Sequence, residues 1–220
     1  MLQGQFLTAL NSSGGAGGGG KKSSRGRAYL VALGVASIVA LGLLLSGLGV
    51  FNQSTVTSTS RTTTNTSYNV DASSVIASAA TYAPASGYTQ GSSKQLNPKE
   101  AGLETAAYAL FSNQGGALAN MTILVFDTPA SAQTYIDSVI SNTKDLIGYS
   151  DLTSVLTNYQ HYGTCYGYGE SDPEGAGAIA TGICTKGNVY IQVHLATTAS
   201  LPSVEGDMSG LVGAAYQSIG

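Results

Sequence analysis

The sequence predicts an α+β fold. An N-terminal transmembrane helix is followed by one extracytoplasmic domain, in which helices pack on one face of an antiparallel sheet. Three observations predict it. Residues 28–51, AYLVALGVASIVALGLLLSGLGVF, carry no charge. The runs 121–126 and 189–195 have the composition and alternation of strands. Residues 129–142 and 203–219 place their apolar residues at helical spacing. The chain therefore divides into a basic tail (1–27), a transmembrane helix (28–51), a Ser/Thr-rich stalk (52–67) and the α+β domain (68–220).

In the tail, GGAGGGG (14–20) is a flexible linker by composition. Ahead of it Leu2, Phe6, Leu7 and Leu10 fall at helical spacing, which suits a short docking helix. The apolar run is long enough as a helix, about 36 Å, to cross a hydrocarbon core of about 30 Å. Within it Ala32, Ala36 and Ala40, then Gly42 and Ser46, repeat every four residues. Small residues at that interval let helix backbones approach, so self-association or a membrane-protein partner is expected beside the lipid contact. The stalk has eleven Ser or Thr in sixteen residues, too few apolar groups to fold.

Asp71 caps a short helix with Val75, Ile76, Ala79 and Ala80 on one face. Residues 84–93 read as loop or edge strand. The stretch 98–112 has helical spacing at Leu103, Ala107, Leu110 and Phe111, but Asn113-Gln114-Gly115-Gly116 is a hairpin turn, so a strand at 105–111 pairs with 119–126. Thr128-Pro129 opens the next helix. Residues 146–160 lead into three strands at 162–169, 176–185 and 188–196, the last two joined by the tight turn Lys186-Gly187-Asn188. In the last strand Val189, Ile191, Val193 and Leu195 are expected inside, with Tyr190, Gln192 and His194 on a wet face. A helix from about 203 to 219 closes the domain.

Lys21, Lys22, Arg25 and Arg27 give the tail +4, and the residues beyond 51 carry −7, for a net charge of −3. Basic residues beside a membrane helix stay in the cytoplasm, so the domain is expected outside the cell membrane. An acidic domain with few basic groups repels phosphate backbones, which argues against nucleic acid as a partner. Charged residues are 10% of the chain, so Ser, Thr, Asn, Gln and Tyr must supply solubility. Such a surface loses little charge when carboxylates protonate, and suits either an acidic, archaeal-like exterior or an ordinary Ser/Thr-rich secreted domain.

The only cysteines, Cys165 and Cys184, lie outside and are expected to form a disulfide. Metal ligation is the weaker alternative, because no CxxC or paired His accompanies them. Asn52, Asn65 and Asn120 begin N-x-[ST] sequons on the outer side and are glycosylation candidates. Asn11 also fits, but topology places it inside.

No GxSxG, HExxH or GxxxxGK[ST] motif is present, and His161 and His194 are the only histidines. No catalytic, cofactor or metal residue is assigned. Residues 170–175 place acids at the first, third and fifth positions and Gly at the sixth, as a calcium loop does, but the twelfth is Thr181 and a Pro interrupts. The chain has thirteen tyrosines and no Trp; Tyr159, Tyr162, Tyr166, Tyr168 and Tyr190 cluster around the cysteine hairpin, and Tyr162, Tyr166, Tyr168 and Tyr190 are the candidate recognition surface, against the plainer reading that Tyr fills half-buried strand positions.

Together these features point to a membrane-anchored domain with a binding, sensing or accessory role rather than to an enzyme. The basic residues before Gly26 or Ala28, followed by the apolar run, also resemble an archaeal class III signal peptide. Arg25-Gly26 before Arg27, or Arg27-Ala28 before Tyr29, matches the basic residue and small residue at the cut. That resemblance implies prepilin-peptidase processing and a pilin-like filament subunit, with a β-sandwich rather than an α+β domain. A secreted hydrolase is the third expectation.

Overall fold

The computed structural model describes residues 65–97, 102–143, 149–171 and 177–220. The tail, the apolar run, nearly all the stalk, Asn52 and most of the calcium-like loop lie outside the described residues. The domain is α+β and is built on one seven-stranded sheet. Its strands are β1 (Tyr88–Leu96), β2 (Leu103–Asn113), β3 (Leu118–Phe126), β4 (Ser150–Asp151), β5 (Cys165–Ser171), β6 (Ala178–Lys186) and β7 (Val189–Thr197). They lie in the order β1-β2-β3-β7-β6-β5-β4, with every pair antiparallel. Among the described residues, three helices, α1 (Ala72–Tyr82), α2 (Pro129–Thr143) and α3 (Leu201–Ser218), and two 3-10 segments accompany the sheet.

Residues 103–113 resolve as strand because the turn after them brings β3 alongside, pairing Ala107 with Ile123 and Ala109 with Met121. Helical spacing in that stretch was fortuitous: the buried residues are Ala106, Ala107, Ala109 and Phe111, which serve two faces of a sheet. Residues 84–93 split into a 3-10 turn (Ala83–Ser86) and the edge strand β1. That edge carries a bulge between Gln90 and Ser93 and the exposed Lys94, features that discourage pairing with another chain. β5 begins at Cys165 rather than at 162, because residues 160–163 turn back toward Thr185.

Helices cover both faces, which corrects the one-face expectation. On the first face α1 and α3 bury Val75, Ile76, Val204, Met208, Leu211 and Val212 against Met121, Ile123, Ile191, Val193 and Leu195. Each such side chain contributes roughly 1.5–3 kcal/mol. On the second face α2 lays Ala132, Tyr135 and Ile136 on Ala106, Leu124, Ile183 and Tyr190. The period-2 pattern identifies a strand but not whether its polar-looking side is covered. Tyr190 is amphipathic, and it lies under α2 with 1% of its surface exposed.

Local chemistry sets the helix starts. Asp71 Oδ1 accepts from the amides of Ser73 (2.9 Å) and Ser74 (3.1 Å) at α1. Thr128 Oγ1 accepts from Ser131 N (3.1 Å) at α2, and Ser131 Oγ donates to Asp127 Oδ1 (2.7 Å).

One end of the domain is tied together at the β6–β7 turn. Gly187 has φ +57°, the left-handed conformation this two-residue turn requires, and a Cβ there would collide with the carbonyl oxygen of Thr66. Asn188 Oδ1 accepts from Tyr68 N (2.6 Å), and its Nδ2 donates to the carbonyls of Tyr68 (3.1 Å) and Phe126 (2.8 Å). Lys186 Nζ donates to the carbonyls of Tyr216 (3.0 Å) and Gly220 (2.6 Å). Beside them Cys165 and Cys184 are directly opposed on β5 and β6 and joined by a disulfide.

Two stability changes follow from this end. Asn188→Ala leaves three backbone groups without their partner and should cost about 2–3 kcal/mol, read as a lower urea midpoint with an unchanged slope. Removing the disulfide with Cys165→Ser and Cys184→Ser together should cost about 3 kcal/mol. An unchanged midpoint in either variant contradicts the contacts described.

Candidate functional site

Register assembles a polar row across the second face. Tyr168 (β5), Thr181 (β6), His194 (β7) and Asn120 (β3) are successive cross-strand partners. Thr181 Oγ1 lies 2.8 Å from His194 Nδ1, and Tyr168 is its partner on the other side by register. At the far side of the row, His194 Nε2 and Asn120 Oδ1 are buried with no hydrogen-bond partner among the described residues. Burial alone holds the His194 pKa down at about 4, so the imidazole is neutral at pH 7. The sequence placed His194 on a wet face; it is half-buried, with Nε2 closed off from solvent.

This row does not make a catalytic centre. Thr181 is fully buried, and among the described residues no neighbouring charge shifts His194. A triad needs an orienting acid on the imidazole and an accessible nucleophile. Asp151, opposite Tyr168 by register, is instead engaged by the Thr153 hydroxyl and by Thr153 N (2.8 Å), which together lower its pKa.

The four tyrosines proposed as one recognition surface fall in two places. Tyr166, Tyr168 and Tyr190 are on the α2 side, and Tyr168 and Tyr190 are buried. Tyr190 packs edge-on against Tyr135 with ring centroids 4.9 Å apart, and its hydroxyl donates to Gln192 Oε1 (3.1 Å). Tyr168 is flanked by Tyr149 and Tyr166 at 5.3 and 5.8 Å. Tyr162 is on the other side of the sheet, 44% exposed, against Tyr216 and His161. With Tyr68 and Tyr216 it surrounds the Lys186 ammonium, the three ring centroids being 5.2–5.8 Å away. Burial lowers the Lys186 pKa, but two carbonyls and three ring faces hold the cation there. That arrangement is structural.

Sequence reasoning missed an open cleft that lies elsewhere among the described residues. A cleft of about 320 Å³ lies between the end of α1, the 3-10 turn after it and α3. Thr81, Tyr82, Ser86, Tyr159 and Gln217 line it, and Gly210 and Gly213 on α3 form part of its wall. Tyr82 is 41% exposed. Both glycines are close-approach positions. A Cβ at Gly210 would overlap Ser86 Oγ, and one at Gly213 would stand 2.5 Å from the Tyr159 hydroxyl. That hydroxyl donates to the Ser209 carbonyl (3.0 Å), fixing Tyr159 at the cleft edge. Glycines three apart in a helix were the available sequence signal, but their meaning depends on what faces them.

Of the sequons, Asn65 is exposed at the start of the described chain. Asn120 is mid-sheet between β2 and β7, with Oδ1 buried. Glu170 lies in β5, while residues 172–176 of the calcium-like run are outside the described residues. Among the described residues no three His, Cys, Asp or Glu gather as a metal site, and no helix is long and apolar enough to cross a membrane.

No family model matches the chain, and no curated protein matches it in sequence. Among solved structures, the extracellular domain of PknH from Mycobacterium tuberculosis aligns with a TM-score of 0.45 at 10% identity, covering 67% of this chain and 92% of that one.

The buried imidazole gives a pH dependence. Above about pH 6.5 His194 is neutral in the folded and the unfolded chain. As pH falls toward 4, the unfolded chain binds a proton that the folded one does not. Stability from this group is therefore complete above pH 6.5 and is lost on acidification, by at most about 3 kcal/mol. Urea midpoints measured between pH 7.5 and 4.5 should fall, and His194→Gln should flatten the slope. Equal slopes in the two proteins would count against a buried neutral imidazole.

Proposed function

We propose that this chain is a single-pass membrane protein displaying its disulfide-bonded α+β domain outside the cell, in a ligand-binding, partner-binding, sensing or accessory role. The observation that carries this is the Cys165–Cys184 disulfide. It lies on the C-terminal side of a basic-flanked, uncharged run of twenty-four residues, and such bonds persist in oxidising compartments. The Ser/Thr-rich run 52–67 serves as the spacer between membrane and domain. The non-enzyme part of this reading is supported by the polar row, in which a closed imidazole faces hydroxyls and an amide. A single sheet with helices on both faces favours this reading over the pilin-like one, which implies a β-sandwich.

Protease treatment of intact cells tests the topology. With an epitope tag at each end, the C-terminal tag should be lost and the N-terminal tag kept. A protected C-terminal tag overturns the reading. Intact mass and N-terminal sequencing of the membrane-purified protein separate anchor from pilin. A start at Met1 with the disulfide formed supports the anchor, and a start at Arg27 or Tyr29 supports prepilin-type processing.

A further inference from the structure

We propose that the cleft between α1 and α3 binds a neutral, hydroxyl-rich ligand of the glycan class, with Tyr82 as its stacking platform. The inference rests on the display reading and names the ligand chemistry that a displayed domain would meet. At about 320 Å³ the cleft is at the small end of the ~300–1,000 Å³ range of small-molecule sites, room for a short oligosaccharide segment rather than a folded partner.

Its lining chemistry selects the class. Tyr82, Tyr159, Ser86, Thr81 and Gln217 offer two aromatic rings, two aliphatic hydroxyls and an amide, and among the described residues no lining side chain is charged. A phosphate, carboxylate or amine would find no counter-charge there. A sugar ring has an apolar C–H face and a polar rim, which match an aromatic surface edged by hydroxyls and an amide. Tyr82 is available for this role because 41% of it is exposed, whereas Tyr159 is already fixed through the Ser209 carbonyl. A peptide extending a sheet is disfavoured, because helices and a 3-10 turn wall the cleft and no strand edge opens into it. The close approach of α3 at Gly210 and Gly213 sets the relation of the two walls, so the cleft shape belongs to the packed fold.

Two other features carry less. The polar row ends in atoms shut off from solvent. The exposed Leu110 and Leu118 on the second sheet face have no feature that identifies an occupant.

The test is saturation-transfer NMR on the full chain in lipid nanodiscs, with maltotriose, mannotriose and N-acetylchitotriose as separate probes. At least one should receive transfer, concentrated on ring C–H protons. Tyr82→Ala should reduce it about five-fold or more, the loss of one stacking contact. Gln217→Ala should also weaken it, and Leu118→Ala, at an exposed side chain on the opposite face of the sheet, should not. No transfer to any of the three, or transfer that Tyr82→Ala leaves unchanged, overturns the proposal. Protease protection reads topology without a ligand, so a failure of binding and a failure of display are separable.

Discussion

The two-residue turn Gly187-Asn188 is the constraint on which this end of the domain depends. A left-handed glycine lets β6 fold back directly into β7, which fixes the register of the two central strands. The same turn presents one asparagine amide that bonds at once to Tyr68, where the chain enters the domain, and to Phe126, at the end of β3. One residue earlier, Lys186 reaches the carbonyls of Tyr216 and Gly220 beneath the rings of three tyrosines. The first described segment, the centre of the sheet and the last helix thus meet at one short turn. The disulfide across β5 and β6 and the bond from the Tyr216 hydroxyl to the Thr185 carbonyl (2.6 Å) close the remaining side.

The candidate cleft adjoins that end through Tyr159, whose ring packs 4.9 Å from that of Tyr216. The sheet is covered on its first face by α1 and α3, but α2 covers the second face only in part. Beyond α2, among the described residues, Asn120, Thr122 and His194 intersperse on that face with Leu110, Leu118 and Ala196. A chain with 10% charged residues must keep such surfaces soluble with amides and hydroxyls. The same composition produces a cleft with tyrosine, hydroxyl and amide lining and no charge, which is why a neutral ligand suits it better than an ion.

Most of the architecture was legible in the sequence because it rests on local signals. Asp71 and Thr128 as helix caps, the Asn113–Gly116 turn and the Gly187-Asn188 turn are each set by a few neighbouring residues. The second-face helix was not legible. Alternation in β7 separates Val189, Ile191, Val193 and Leu195 from Tyr190, Gln192 and His194, but an amphipathic residue reads alike under water or under α2. The candidate site was less legible still. Thr81 and Tyr82 are more than a hundred residues from Gly210, Gly213 and Gln217, and only the packing of α1 on α3 brings them together. The tyrosine cluster attracted attention by density, whereas Tyr82 matters by exposure, which composition does not report.

The most direct measurement is hydrogen exchange at the Tyr68 amide in the full chain, compared with amides of β7. That amide donates to Asn188, so the account predicts protection approaching that of the central strands, with opening linked to the global unfolding of the domain. Exchange at the rate of an unstructured peptide, while β7 stays protected, would mean that the chain enters the domain loosely and would contradict the turn as the common tie.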